Sequence, residues 1–336
     1  MAKIKVLFAY CHELDRSISI DSARLEYFSQ DPKRRKRFTF SCSDRNCGVL
    51  ISGVNYHVMA EAGEKFIAAH YRSPHTHSPC CEWIQFTNEI EQCQRKDESD
   101  EEFNEKKARM KLKDYINHFT HWSDNEDKIE ASCAVPNTSS NSLKTPGHSN
   151  NKDNDKGNDR WQRYTKTNQL QRLIDTWQEA KENLSYIEYS SLNLHVTNHG
   201  KVPFYQYITH IKNGLSNQYN GVIYGGGRIN KRYGRGFLFQ FFDKFNDQTI
   251  HLYISKELMN NGRFGHYINE ILNTKNVKYF RVFLLNPRIS EREDKNGNMI
   301  INLKISNLKQ LVMYYELNDK TSDDTGSDGN NGDKCA

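Results

Sequence analysis

The chain has 336 residues, of which 36% are hydrophobic, and carries a formal net charge of +5 with a mean hydropathy of -0.86. That length holds two modest domains, while that hydropathy leaves part of the chain without a packed core. No apolar run approaches the ~18 residues that span a bilayer, and the opening MAKIKVLFAY lacks the long apolar centre and small-residue cleavage site of a signal peptide, so a cytoplasmic protein with no membrane partner is expected.

Lys3 to Tyr10 begins with alternation and ends continuously apolar, which predicts a strand, and Ile18 and Ile20 around Ser19 repeat the period of two. A basic run, Lys33 to Arg37, follows; such a run is as readily a solvated face as a phosphate contact. The stretch from Cys42 to Cys81 then demands a chemical explanation. Cys42 and Cys47 are separated by four residues, Gly48 follows at once, and Val49, Leu50 and Ile51 lead away as a strand. This is a zinc-knuckle signature, in which a tight turn gathers two thiolates and glycine lets backbone amides approach sulfur. After Phe66, the residues His70, His75, His77, Cys80 and Cys81 crowd into twelve positions, and four-coordinate zinc takes two of them. The reading is His70 with Cys80, because neighbouring cysteines seldom both reach one ion; Cys81 or His77 is the substitute. The competing reading makes the two thiols buried small hydrophobes and the histidines a solvated loop. Eight cysteines in a chain this long fit reduced thiols better than a disulfide framework, and Cys11, Cys93, Cys133 and Cys335 are expected to be unliganded.

FTFSCSDRNCGVL, followed by FIAAHYR and a later cysteine, resembles the N-terminal zinc finger of CoiA-like competence proteins, and DRSISIDSA resembles the strand and turn that open them. The resemblance covers roughly the first 85 residues. The chain departs from the family pattern in its wider Cys-x4-Cys spacing and in Ala68 and Ala69 before His70. In that family the finger precedes a nuclease-like module in proteins of DNA uptake and recombination; what the resemblance implies here is the finger alone.

From Glu101 to Trp122, Leu112, Tyr115, Ile116 and Phe119 follow the spacing of an amphipathic helix, led by the acidic run at 97–102. Asp97, Asp100 and Glu101 with Lys106 and Lys107 also admit a metal-dependent nuclease reading, but such sites draw carboxylates from a rigid strand. Residues 123–160 are rich in Asn, Ser, Asp, Lys and Gly and read as a disordered linker. Residues 161–215 read as a helical connector. Leu170, Leu173, Ile174, Trp177 and Leu184 form its first stripe, and Pro203 and Gly214 bracket a second helix with the face Phe204, Ile208 and Ile211.

Between 216 and 317 the predicted order is three strands (221–229, 236–242, 249–255), a helix within 256–273, and two strands (277–285, 299–306). That is the order of a five-stranded OB-like barrel, with the run Gly225 to Gly227 as a barrel bend. Between Gly221 and Leu317 there are fifteen Lys and Arg against eight Asp and Glu, and a surplus of this sign favours a phosphate-bearing partner. Lys231, Arg232, Tyr233 and Arg235 in the first hairpin, Tyr253 on the third strand and Arg288 in the last loop are the candidate contacts, because bases stack on rings while cations track phosphates. Phe237, Phe239 and Phe241 are either core or groove, and His251 and Tyr253 are expected to face outward. Residues 318–336 read as an acidic disordered tail.

The sequence therefore reads as an α+β protein with an N-terminal zinc-finger module (1–122), a helical connector and a C-terminal OB-like barrel. The expected function is that of a zinc-containing protein that binds nucleic acid, DNA or RNA with single strands favoured, without catalysis. Asparagine and lysine richness suits a mobile-element, recombination or phage-defence setting. The alternatives are a nuclease or nuclease subunit, and an adaptor whose barrel docks a protein partner.

Overall fold

The computed structural model describes residues 4–59, 68–91, 98–121, 161, 164–215, 220–260, 262–293 and 297–318. The whole expected linker, 123–160, and residues 319–336 of the expected tail lie outside them. Among the described residues no helix is long and apolar enough to cross a membrane.

The N-terminal strands form where period two predicts them: β1 (Phe8–Cys11) pairs antiparallel with β2 (Arg16–Ser19). Ser19 then caps α1 (Ile20–Ser29), its hydroxyl accepting the Ser22 N–H. Three further strands, β3 (Phe40–Cys42), β4 (Leu50–Val54) and β5 (His70–Arg72), complete a five-stranded sheet in the order β2-β1-β3-β4-β5. Helix α2 (Glu82–Glu91) closes this unit by burying Trp83 and Phe86.

Helix α3 (Asp100–Lys111) opens on a full capping box, with Ser99 and Glu102 satisfying each other's backbone N–H. The helix expected to reach Trp122 ends here instead. Past its end, the Asp114 carboxylate accepts the Tyr115 N–H at 2.7 Å and two nitrogens of Arg172 at 2.5 and 2.8 Å. That anchor turns the chain, so Leu112, Tyr115, Ile116 and Phe119 are buried from an extended segment leading into β6 (His118–Phe119). β7 (Lys166–Thr167) precedes α4 (Leu170–Asn183), which carries the predicted stripe; α5 (Tyr186–Ser191), β8 (Asn193–Val196) and β9 (Gly200–Pro203) follow. β6 to β9 make a four-stranded sheet. The second expected connector helix is one turn, α6 (Phe204–Tyr207), after which β10 (Ile208–His210) pairs parallel with Val222 to Tyr224. β-branched Ile208 and Thr209 favour that ladder over a longer helix.

The large sheet contains β11 (Val222–Tyr233), β12 (Gly236–Phe245), β13 (Gln248–Ile254), β14 (Val277–Leu285), β15 (Arg288–Glu293), β16 (Met299–Lys304) and β17 (Leu311–Leu317), with α7 (Lys256–Met259) and α8 (Gly262–Leu272) between β13 and β14. Its order is β15-β16-β13-β12-β11-β14-β17, with β10 beside β11. The five predicted strands are neighbours as β16-β13-β12-β11-β14. However, they do not close into a barrel, because β14 takes β17 and β16 takes β15 as outer partners.

Phe237, Phe239 and Phe241 lie in the core with Ile250, Leu252 and Ile254, under Tyr267, Ile268 and Ile271 of α8 and Leu25 and Phe28 of α1. The glycine run serves this packing. A Cβ at Gly225 would stand 2.9 Å from the Phe241 ring, and one at Gly227 2.2 Å from the Gln240 carbonyl oxygen and 2.6 Å from the Phe239 ring. On the opposite face, Leu173, Ile174 and Trp177 of α4 cover Val222, Phe283, Leu285 and Tyr314.

Where α1, α4 and β17 meet, Asp21 is buried, with Oδ1 lacking a hydrogen-bond partner among the described residues. Burial, then the nearby Asp175 carboxylate, push its pKa up to about 7. An aspartate of the unfolded chain ionises near 3.9. Its contribution to stability is therefore complete below about pH 4, declines as pH rises toward 7, and stays lower above. Asp21→Asn is expected to flatten that decline in melting temperature between pH 4 and 8. Glu179, pushed up to about 7 by burial, supplies a residual slope of the same sign.

Candidate metal centre and sheet face

The knuckle is built from the backbone outward. Gly48 adopts φ +60°, which lets the Cys47 and Gly48 N–H groups both donate to the Asp44 carbonyl, at 3.0 and 3.3 Å. The Asp44 carboxylate accepts the Glu82 N–H at 2.9 Å and so ties this turn to the start of α2, while the Trp83 indole donates to Ser43 Oγ at 2.9 Å. The N-terminal turn of α2 fixes Cys81, whose carbonyl accepts the Ile84 and Gln85 N–H groups.

These contacts bring Cys42, Cys47, His77 and Cys81 together, with their ligand atoms all within 4.8 Å of one another. Cys42 Sγ lies 3.6 Å from Cys81 Sγ, and His77 Nδ1 lies 3.2 Å from Cys81 Sγ and 3.4 Å from Cys47 Sγ. A tetrahedron with bonds of about 2.3 Å to sulfur and about 2.0 Å to nitrogen has edges of roughly 3.5 to 3.8 Å, so this Cys3His group can hold a metal ion. The Ser78 N–H donates to Cys47 Sγ at 3.4 Å, the amide-to-sulfur contact a knuckle uses. The hydrogen bond from Cys42 draws the Cys81 thiol down to about 5, and the same contact followed by burial pushes Cys42 up. A dication removes that conflict by favouring both thiolates.

Of the predicted ligands, Cys42 and Cys47 are in this cluster and His70 and Cys80 are not. His70 sits on β5 with Nδ1 donating to the Ala68 carbonyl at 2.9 Å, and Cys80 is exposed. The substitutes His77 and Cys81 take their places. The missed signal is Trp83, Phe86 and Ile90, whose apolar spacing sets a helix beginning beside Cys81. Cys11 is buried in the core, where desolvation pushes its thiol up to about 11. Asp100 and Glu101 are exposed in the first turn of α3 and Asp97 lies outside the described residues, among which no other group of this kind occurs.

The expected nucleic-acid contacts divide between the two faces of the large sheet. Tyr233 and Tyr253 meet edge to face with ring centroids 6.0 Å apart, each 44% exposed, and Lys231 Nζ stands 5.3 Å from the Tyr233 ring. Arg288 pairs in register with Lys304 on the same side. Arg232 instead reaches Asn269 of α8 and Arg235 reaches Asn260, each at 3.4 Å. His251, expected to face outward, is only 8% exposed. Within Lys33 to Arg37, Arg35 is structural. It pairs with Glu270, donates to the Phe28 and Gln30 carbonyls, and lies over the Tyr27 and Phe28 rings.

Alternation adds residues that were not predicted as contacts. Phe242 is 57% exposed and sits beside Tyr279, and Arg281 donates to the Tyr279 hydroxyl at 3.2 Å. Arg228, Arg292 and Lys304 are exposed on this side of the sheet. No protein-family model matches the chain, and no curated protein matches it either.

Proposed function

We propose that this is a zinc-containing protein that binds single-stranded nucleic acid on the part of the large sheet's second face that α4 leaves open among the described residues. The observation that carries the reading is that Arg228, Lys231, Arg281, Arg288, Arg292 and Lys304 have no carboxylate partner among the described residues and are interleaved with Tyr233, Phe242, Tyr253 and Tyr279. Cations in that array track phosphates while the rings stack on bases. The alternation of β15 supports it: Arg288, Ser290 and Arg292 share the open side, whereas Ile289, Glu291 and Glu293 have the opposite parity. The acids bordering this face are themselves paired, Asp243 with Lys212 at 2.8 Å and Glu316 with Lys278 at 3.5 Å. Three thiolates and an imidazole at tetrahedral spacing are the donor set of a structural zinc, which stabilises the N-terminal sheet against α2.

The test is affinity for an oligonucleotide measured against salt. Arg228→Ala should flatten the slope of log affinity on log salt by roughly 0.7, the value for one phosphate contact on a single strand. Tyr253→Ala should cost about 1 to 3 kcal/mol with the slope nearly unchanged. The strand should be recovered intact with or without magnesium; cleavage would favour the nuclease reading. If both variants bind like the parent, the face is not the site.

A further inference from the structure

The register of the large sheet places five polar side chains in one row across the centre of its open face. Arg228 pairs with Gln240, Gln240 with His251, His251 with Asn302, and Asn302 with Ser290. Directly paired residues project to the same side, so at about 4.8 Å between strands the row spans about 19 Å. Aromatic pairs flank it along the strands, Tyr233 with Tyr253 toward the hairpin and Phe242 with Tyr279 toward α4.

The middle of this row is unfavourable for the fold alone. His251 is 8% exposed and Asn302 7%, although both belong to strands that otherwise bury Ile250, Leu252, Ile301 and Leu303. His251 Nδ1 is buried with no hydrogen-bond partner among the described residues, a desolvation that no bond offsets. Valine or leucine would serve a purely structural sheet better at these positions. Burial, then the charge of Arg292, hold the His251 pKa down, so the ring is neutral and offers one donor and one acceptor. Gln240 Oε1 accepts the Asn230 side-chain amide at 3.2 Å, which orients the Gln240 NH2 away from that contact.

We infer that Gln240, the partly exposed carboxamide of this row, reads base edges and selects adenine over pyrimidines, as a specificity-determining residue. A carboxamide makes a two-pronged hydrogen bond to adenine, its oxygen accepting from N6–H and its NH2 donating to N7, whereas pyrimidines have no N7. The flanking rings hold bases by stacking without choosing among them. The inference rests on the proposed reading of the face and adds base selection to it.

The experiment compares parent and Gln240→Leu binding to oligoadenylate, oligocytidylate and oligothymidylate or oligouridylate, in deoxyribose and ribose series. The partly exposed position of Gln240 makes the substitution tolerable, and Gln240→Met, of similar length without the carboxamide, serves as a second variant. The parent should bind oligoadenylate at least roughly tenfold more tightly than the pyrimidine strands, one two-pronged contact being worth about that factor. Gln240→Leu should bring the strands to within about threefold of one another by lowering adenylate affinity and leaving cytidylate affinity in place. Equal parent affinities, or an adenine preference that survives in both variants, overturn the inference while leaving the stacking face intact. Absence of binding to every strand overturns the face itself.

Discussion

Cys81→Ser is expected to abolish metal binding and remove the cooperative folding of the N-terminal sheet, whereas Cys80→Ser should leave both unchanged. The two cysteines are neighbours, yet Cys81 Sγ stands 3.6 Å from Cys42 Sγ while Cys80 is exposed. Structural zinc contributes on the order of 10 kcal/mol or more to a small site, comparable to the whole stability of a typical domain, about 5 to 15 kcal/mol. An exposed cysteine away from the cluster should count for less than about 0.5 kcal/mol. The same contrast holds between His77→Ala and His70→Ala. Metal content per chain is one readout. The near-ultraviolet dichroism of Trp83, buried and hydrogen-bonded to Ser43 beside the knuckle, is the other. Metal retained in Cys81→Ser and lost in Cys80→Ser would return the ligand role to Cys80.

Half of this site could be read from the sequence because half of it is local. Cys42, Cys47 and Gly48 form one turn, and a turn is fixed by residues adjacent in the chain. The other half depends on where α2 begins, and residues 70–81 offer five candidate donors with no local rule to choose among them. Neighbouring cysteines seldom share an ion, and here only Cys81 of the pair is at the cluster. What selected Cys81 over Cys80 was the helix start held by Asp44, a contact across thirty-eight residues.

Five strands of the large sheet were legible because alternation in β11, β12 and β13 sets the core side apart, although His251 on the other side is buried too. Its closure was not legible. β15 falls in a stretch whose charges read as a loop, because an edge strand with one open side tolerates Arg and Glu at alternate positions. β17 reads Leu-Val-Met-Tyr-Tyr-Glu-Leu, nearly all buried, and lacks the alternation that marks a half-exposed strand. Once those two strands occupy the outer edges of β16 and β14, a five-stranded ring cannot form. The stripe in α4 was correct as a helix, but its buried charges were invisible as such, because Asp175 resembles any helix-surface acid until its partners on α1 and β17 are in place.

Those partners lead to the second large effect: Arg24→Met is expected to destabilise the protein by about 3 to 5 kcal/mol, the cost of leaving one member of a buried ion pair unpaired. Arg24 on α1 donates to Asp175 Oδ2 on α4 at 3.1 Å, with the two side chains 4% and 7% exposed. Asp175 Oδ1 also accepts from the Tyr314 hydroxyl on β17 and from Gln171 at 2.7 Å. One carboxylate therefore joins the N-terminal helix, the connector helix and an edge strand of the large sheet. Removing the guanidinium leaves that carboxylate buried with two hydrogen bonds and no ion-pair partner among the described residues. Neutralising it as well, in Arg24→Met with Asp175→Asn, should recover part of the loss, because the desolvated charge is then gone. Arg16→Met, which breaks a pair with Glu26 whose arginine is 33% exposed, should cost less than about 1 kcal/mol. Urea denaturation with an unchanged m-value is the measurement. If Arg24→Met costs no more than Arg16→Met, α1 is held by its apolar residues and its other polar contacts, and the charged junction contributes nothing to the docking.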